Sequence, residues 1–151
     1  MAADPRAAAL HYLATHQVMS LATTAADDIW SAAVFYVNQS FDFYFLSAGH
    51  TRHARNMQAQ PRVAATIQED YSDWPQIKGI QLEGEATLLQ GENRDFAVRL
   101  YEIKYPFIAA AGPKIALALT RVNWYRLTAR RLYFIDNSRG FGHRDEIVLS
   151  R

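Results

Sequence analysis

The sequence predicts a mainly β domain in which six or seven antiparallel strands curl towards a closed barrel, with three or four helices at its periphery. Short segments of alternating hydrophobicity recur along the chain, separated by turns rich in Gly, Pro, Asn and Asp. The longest of them contains Gly79 and Gly84, residues suited to bends or bulges where a strand curves. Closure is the economical way for so many short strands to lose their edges. The 151 residues are half apolar and 13% aromatic. A chain of that size buries about 68–70% of its unfolded surface, so one domain spanning residues 1–151 is expected.

Pro5 to His16 reads as an amphipathic helix, with Leu10 and Leu13 on one side and Pro5 in its first turn, covering one end of the barrel. Val18 to Thr24 is a strand, Ala25-Ala26-Asp27-Asp28 a turn, and Trp30 to Val37 the second strand of a hairpin. After the turn Asn38-Gln39-Ser40, Phe41 to Leu46 should pair with the strand before it and complete a three-strand meander. Its phenylalanines at 41, 43 and 45 share one face. Ser47-Ala48-Gly49 ends that pattern, and Thr51 is placed to cap a short helix running to Met57. Gln60-Pro61 breaks the helix, and Val63 to Ile67 makes the next strand. A polar loop with Trp74 leads into the long strand Ile77 to Leu89. Glu92 to Tyr105 is the clearest helix, ended by Pro106, and Lys114 to Leu119 is a second helical piece. Trp124 to Ile135 returns to strand until Arg130-Arg131 disturbs the alternation, and Asp136 to Ile147 reads as a loop rich in polar donors. Trp30, Trp74 and Trp124 read as packing residues, and the pairs Asp27-Asp28 and Glu69-Asp70 as solvated turns.

A net charge of +1 argues against a general nucleic-acid-binding surface. Without cysteine there is neither a disulfide framework nor a thiolate metal site. Asp4, Pro5 and Arg6 interrupt Met1 to Ala9, so neither a signal peptide nor a membrane span is expected, and the cytoplasm is the expected location. The arginines gather at 52, 55 and 62 and again at 121, 126, 130, 131, 139 and 144. This suits either a small anion held between two segments or a solvated basic face.

The stretch from Ser47 to His53 carries the chemistry. A helix start has free N–H groups and a partial positive charge, and here Ser47 and Thr51 add hydroxyls, Arg52 a planar fork and His53 a further donor. The bland alternative is a capped surface helix with solvated arginines. His50 and His53 have the spacing to share an iron, but no acidic third ligand or cysteine accompanies them, and no metal is expected.

Taken in order, Ser31–Tyr36, Phe43–Ser47, Thr51-Arg52-His53-Ala54, Gln60–Ala64 and Gly79–Gly84 resemble the pyridoxamine 5′-phosphate oxidase-like FMN-binding split barrels. Thr51–Ala54, Tyr105-Pro106 and the tail Asp136-Asn137 to Gly140-Phe141-Gly142 are most similar to the YhbP-like branch. The resemblance implies a six-stranded antiparallel split barrel and a homodimer with FMN at the subunit interface. It implies that Ser47, Thr51, Arg52 and His53 hold the FMN phosphate, with His53 where many relatives have lysine. Ala33, Val34, Phe35 and Tyr36 would lie along the isoalloxazine, and Gly79 and Gln81 would approach the ring or ribityl chain. Lys104, His143 and Arg144 are the candidates for substrate contact. The true oxidases carry an Arg-Pro-x-x-Ser segment where this chain has Lys104–Ala110, and a tryptophan where it has Ile135, so vitamin-phosphate oxidation itself is not expected. The expected function is FMN-dependent oxidoreduction of an unassigned substrate, with the catalytic residues unassigned. A flavin or haem store or sensor without turnover, or an F420-dependent reductase, are the alternatives on the same fold.

Overall fold

The computed structural model describes residues 4–150. The ends of the expected domain, Met1–Ala3 and Arg151, lie outside the described residues. Helix α1 (Pro5–Ala14) is followed by strands β1 (Val18–Ala25), β2 (Asp28–Phe35), β3 (Val37–Gln39) and β4 (Asp42–Ser47). Helix α2 (Arg52–Ala59), β5 (Arg62–Gln68) and β6 (Lys78–Leu88) come next. The chain ends with α3 (Gly91–Lys104), α4 (Phe107–Ala110), α5 (Pro113–Arg121), β7 (Asn123–Asp136) and β8 (Arg144–Glu146).

All strand pairs are antiparallel, in the order β2-β1-β5-β6-β7-β4-β3, with β8 added to β7. The sheet is split-barrel-like with helices at its periphery, but it differs from the expected closed six-stranded barrel. Among the described residues it has eight strands, its two ends are not hydrogen-bonded to each other, and helices take a share of the chain approaching that of the strands. The reason lies at Tyr36. The segment read as one strand from Trp30 to Val37 is two, β2 pairing with β1 and β3 with β4, and Tyr36 alone joins them. Its N–H donates to the Gln17 carbonyl at 3.0 Å and its hydroxyl to the Leu13 carbonyl at 2.8 Å, while its carbonyl accepts from the Tyr105 hydroxyl at 2.5 Å. The chain thus passes from one sheet edge to the other covalently, and β4 pairs with β3 and β7 rather than extending a simple meander.

The inner faces of the strands bury one core, with Met19, Leu21, Phe43, Phe45, Ile67, Ile80, Leu127 and Leu132 at its centre and α1 and α2 closing it through Leu13 and Met57. On the opposite face of β4 and β7, a second cluster of Tyr44, Trp124 and Val37 packs under Ala97, Tyr101 and Tyr105 of α3 and the residue after it. The α1 end is clasped by His16, whose Nδ1 lies 2.7 Å from the Tyr12 carbonyl and whose Nε2 lies 2.7 Å from Glu69. That contact holds the Glu69 carboxyl below its usual range. Among the described residues no helix is long and apolar enough to cross a membrane.

Gly84 fulfils its expected role. The register of β6 against β7 shifts between Glu83 and Gly84, leaving Arg130 as the extra, unpaired residue of a bulge. A Cβ at Gly84 would stand 2.2 Å from the Thr128 carbonyl oxygen. Since backbone on both sides would have to move, Gly84→Ala should lower stability by about 3 kcal/mol or more. The exposed neighbour Glu83→Ala should stay within about 0.5 kcal/mol. Paired chemical denaturation curves check this, and equal midpoints for both variants would contradict it.

Candidate functional site

Strand β4 ends at Ser47, and the turn through Ala48 and Gly49 delivers Thr51 as the N-cap of α2. The Thr51 side chain accepts from the Ala54 N–H at 3.3 Å and donates to the Ala48 carbonyl at 2.9 Å. The His53 ring folds back over the same turn. Its Nε2 is 2.6 Å from Ser47 Oγ, and Ser47 Oγ is 3.0 Å from Thr51 Oγ1. One assignment of protons satisfies all four contacts: His53 Nε2–H donates to Ser47, Ser47 to Thr51, and Thr51 to the Ala48 carbonyl. The result is a chain of small donors beside the first-turn N–H groups of Arg52 and His53, which have no acceptor among the described residues. Burial lowers the His53 pKa, so the neutral ring is favoured in the free protein.

Arg52 faces the other way. Its guanidinium makes a two-pronged contact with the Asp28 carboxylate and lies over the Trp30 ring, 4.0 Å from the centroid. Asn56 donates to Asp28 at 3.0 Å and to Thr23 at 3.2 Å. The hydrogen bonds from Arg52 and Asn56 hold the Asp28 carboxyl down to about 2. The expectation of a solvated Asp27-Asp28 turn is therefore corrected for Asp28. Trp30 is likewise a platform for Arg52 rather than a core residue, and Trp74, 64% exposed, meets the Phe141 ring, whereas Trp124 is buried. No local pattern announces Asp28 and Asn56, because the contact joins the β1–β2 hairpin to α2 across the fold.

The other expected residues fall in separate places. Ala33 sits on the outer face of β2, in one transverse row with Ser20, Thr66 and Gln81. Three strand spacings, about 14 Å, separate Ala33 from Gln81. Gly79 and Gln81 border a shallow groove of about 100 Å³ with Thr66 and Ile135. Val34 turns inward against the core. Phe35 is half exposed and meets Tyr105 edge to face. Tyr36 is fully buried, with its N–H, carbonyl and hydroxyl all engaged by the fold, so it is a structural residue and has no polar group left for a ligand.

Lys104, expected to contact substrate, instead closes the end of α1. Its Nζ donates to the His16 carbonyl at 2.5 Å and the Leu13 carbonyl at 3.4 Å and lies 4.0 Å from the centre of the Tyr36 ring. Burial brings its pKa down to about 8. His143 contacts Asp145 at 3.0 Å, and Arg144 lies over the Tyr133 ring. Arg144 pairs with Ile135 at one end of β7, whereas Ser47 pairs with Asn123 at the other, on the order of 40 Å away along the strand. Among the described residues no group of three or more His, Cys, Asp or Glu side chains could hold a metal ion.

Among the described residues, the outer face of β2, β1 and β5 carries exposed apolar side chains. Val18, Ile29 and Phe35 are 44%, 78% and 49% exposed, with Ala22, Ala33 and Ala64 between them. A groove of about 360 Å³ crosses this face beside Ala22, Ile29, Arg62 and Glu85.

Residues 5–136 match the family model described as pyridoxamine 5′-phosphate oxidase. The UPF0306 protein plu4501 of Photorhabdus laumondii is 36% identical over 133 residues, 87% of either chain. The UPF0306 protein YhbP of Escherichia fergusonii is 31% identical over 133 residues, 87% of this chain and 84% of that one. Among solved structures, a heme binding protein from Mycobacterium smegmatis superposes with a TM-score of 0.79 at 21% identity, over 98% of this chain and 59% of that one.

The depressed His53 pKa sets a pH dependence. As pH falls through the ordinary imidazole range the unfolded chain takes up a proton before the folded one, so this contribution to stability is present above that range and is lost below it. Denaturation series across that range should show the loss in the natural protein and not in His53→Gln. The same slope in both would contradict the assignment.

Proposed function

Because the chain belongs to the pyridoxamine 5′-phosphate oxidase family, in the UPF0306 branch that includes YhbP, we propose that it is an FMN-binding flavoprotein, an FMN-dependent oxidoreductase. The observation that carries this reading is the Ser47–Thr51–His53 donor chain at the start of α2. Its chemistry fits a phosphate. Two hydroxyls can re-aim their protons, the helix start offers free N–H groups, and an anion there favours the charged form of His53. Bound FMN would supply the electron chemistry.

The remaining roles follow from placement. Arg52 must release Asp28 to reach the phosphate, so Asp28 acts as the internal anion that phosphate displaces. From Asp28, the outer edge of β2 runs about 16 Å to Ala33, a path along which an extended cofactor could lie, with Ala33 and Phe35 against its apolar ring. Gly79 and Gln81 lie too far across the sheet to share one face of that ring within a subunit. The same holds for His143 and Arg144 at the far end of β7. Both sets could serve a site at α2 only from a second subunit, which supports a homodimer packed through the exposed apolar face of β2, β1 and β5. FMN is preferred to haem because what gathers at the start of α2 is a set of donors suited to a phosphate, Ser47, Thr51 and His53. F420 would present a phosphate to the same donors, and competition between it and FMN for the free protein separates the two.

FMN added to the purified protein should lose its fluorescence on binding, in a complex of twice the chain mass by light scattering. Ser47→Ala and Arg52→Ala should each weaken binding about tenfold or more while leaving the circular dichroism spectrum unchanged. Unquenched FMN would overturn the proposal, and undiminished affinity in Arg52→Ala would overturn that residue's place in it.

A further inference from the structure

On the face of β7 opposite Ser47, a second cavity of about 190 Å³ lies between α3, α4, α5 and the strand. The apolar part of its wall is formed by Val98 of α3, Ile108 of α4 and Ala116 and Leu119 of α5, with the rings of Tyr101 and Trp124, while Arg94 and Glu102 stand at its border. Those two rings are buried and meet edge to face at 5.2 Å. Both carry hydrogen-bonding groups, but only that of Trp124 is a wholly buried donor the fold does not satisfy. Trp124 Nε1 is fully buried and has no acceptor among the described residues. The Tyr101 hydroxyl has no hydrogen-bond partner among the described residues, and burial pushes its pKa up to about 12, so it remains a donor. A buried donor without an acceptor is rare in folded proteins and costs free energy until something supplies the missing atom.

We infer that this cavity is a second small-molecule site, selective for a neutral, single-ring aromatic compound that carries a hydrogen-bond acceptor such as a carbonyl. The volume suits one ring, since an apolar cavity of about 150 Å³ accepts benzene. The unpartnered Trp124 N–H, which can only donate, calls for an acceptor rather than another donor. The charged residues at the wall, one of each sign, give the site no net charge to attract an ion. Arg94 is engaged by the carbonyls of Leu119 and Thr120 at the end of α5, at 3.3 Å each, while Glu102 contributes a carboxylate. The inference is independent of FMN binding, because none of these residues touches the α2 start.

Acetophenone and ethylbenzene are matched probes, differing in a carbonyl where the other has a methylene. The protein has three tryptophans, so a nitrogen-15 spectrum of the full chain contains three indole N–H signals, and Trp124→Phe assigns one of them. Acetophenone should shift the Trp124 signal while leaving those of Trp30 and Trp74 in place, and should bind roughly tenfold tighter than ethylbenzene. Tyr101→Phe should narrow that preference. Ala116→Phe, a change at an exposed helix position that fills the cavity, should abolish binding of both probes without altering the circular dichroism spectrum. Equal affinity for the two probes, no movement of the Trp124 signal up to the solubility limit of acetophenone, or undiminished binding in folded Ala116→Phe would each overturn the inference. FMN binding measured in the same variants is expected to be unchanged, which keeps this result separate from the flavin proposal.

Discussion

Tyr36 is where the chain leaves one edge of the sheet and joins the other, and the groups that hold it there fix the position of nearly everything else. Three hydrogen bonds to Gln17, Leu13 and Tyr105 leave no polar atom of the residue unpaired, and the Lys104 ammonium rests on its ring while bonding the same turn of α1. Removing one partner from such a buried set leaves another unsatisfied, at about 1–3 kcal/mol for a neutral group. The arrangement ties the end of α1, the end of α3 and both sheet edges to one point. With that point fixed, β2 pairs with β1 on one side and β3 delivers β4 to β7 on the other. The end of β4 is where Ser47 and the turn into α2 must then fall.

The start of α2 serves two directions at once. Its cap and His53 turn towards β4 and β7, where hydroxyls and an imidazole form a donor chain. Arg52 turns towards the β1–β2 hairpin, where Asp28 neutralises it and Asn56 holds Asp28. Two-pronged carboxylate recognition by arginine uses the same geometry as phosphate recognition. In the proposed function an anionic ligand takes the place of Asp28, which pairs with the guanidinium in the free protein.

Much of this was legible in the sequence wherever the physics is local. The phenylalanines of β4, the Thr51 cap, the breaks at Pro61 and Pro106, and the disturbance at Arg130 each leave a pattern within a few residues, and each corresponds to an element or bulge. The break at Tyr36 leaves no such pattern, because the chain changes partners there without a glycine or proline to mark it. The four-residue α4 and the three-residue β8 are too short to show periodicity. Asp28, Asn56 and the engaged Lys104 depend on contacts between segments far apart in the chain. Residue type there suggested solvated turns or a ligand contact, whereas packing supplied a different partner.

The central claim is that the Ser47–Thr51–His53 turn binds a cofactor through its phosphate. Comparing FMN with riboflavin, which has the same ring and ribityl chain and no phosphate, tests this most directly. Two or more charge-assisted hydrogen bonds predict that the protein binds FMN at least about a hundredfold more tightly than riboflavin, and that Thr51→Ala removes most of that difference by weakening FMN alone. Equal affinity for the two flavins, or a difference that survives in Thr51→Ala, would contradict the account.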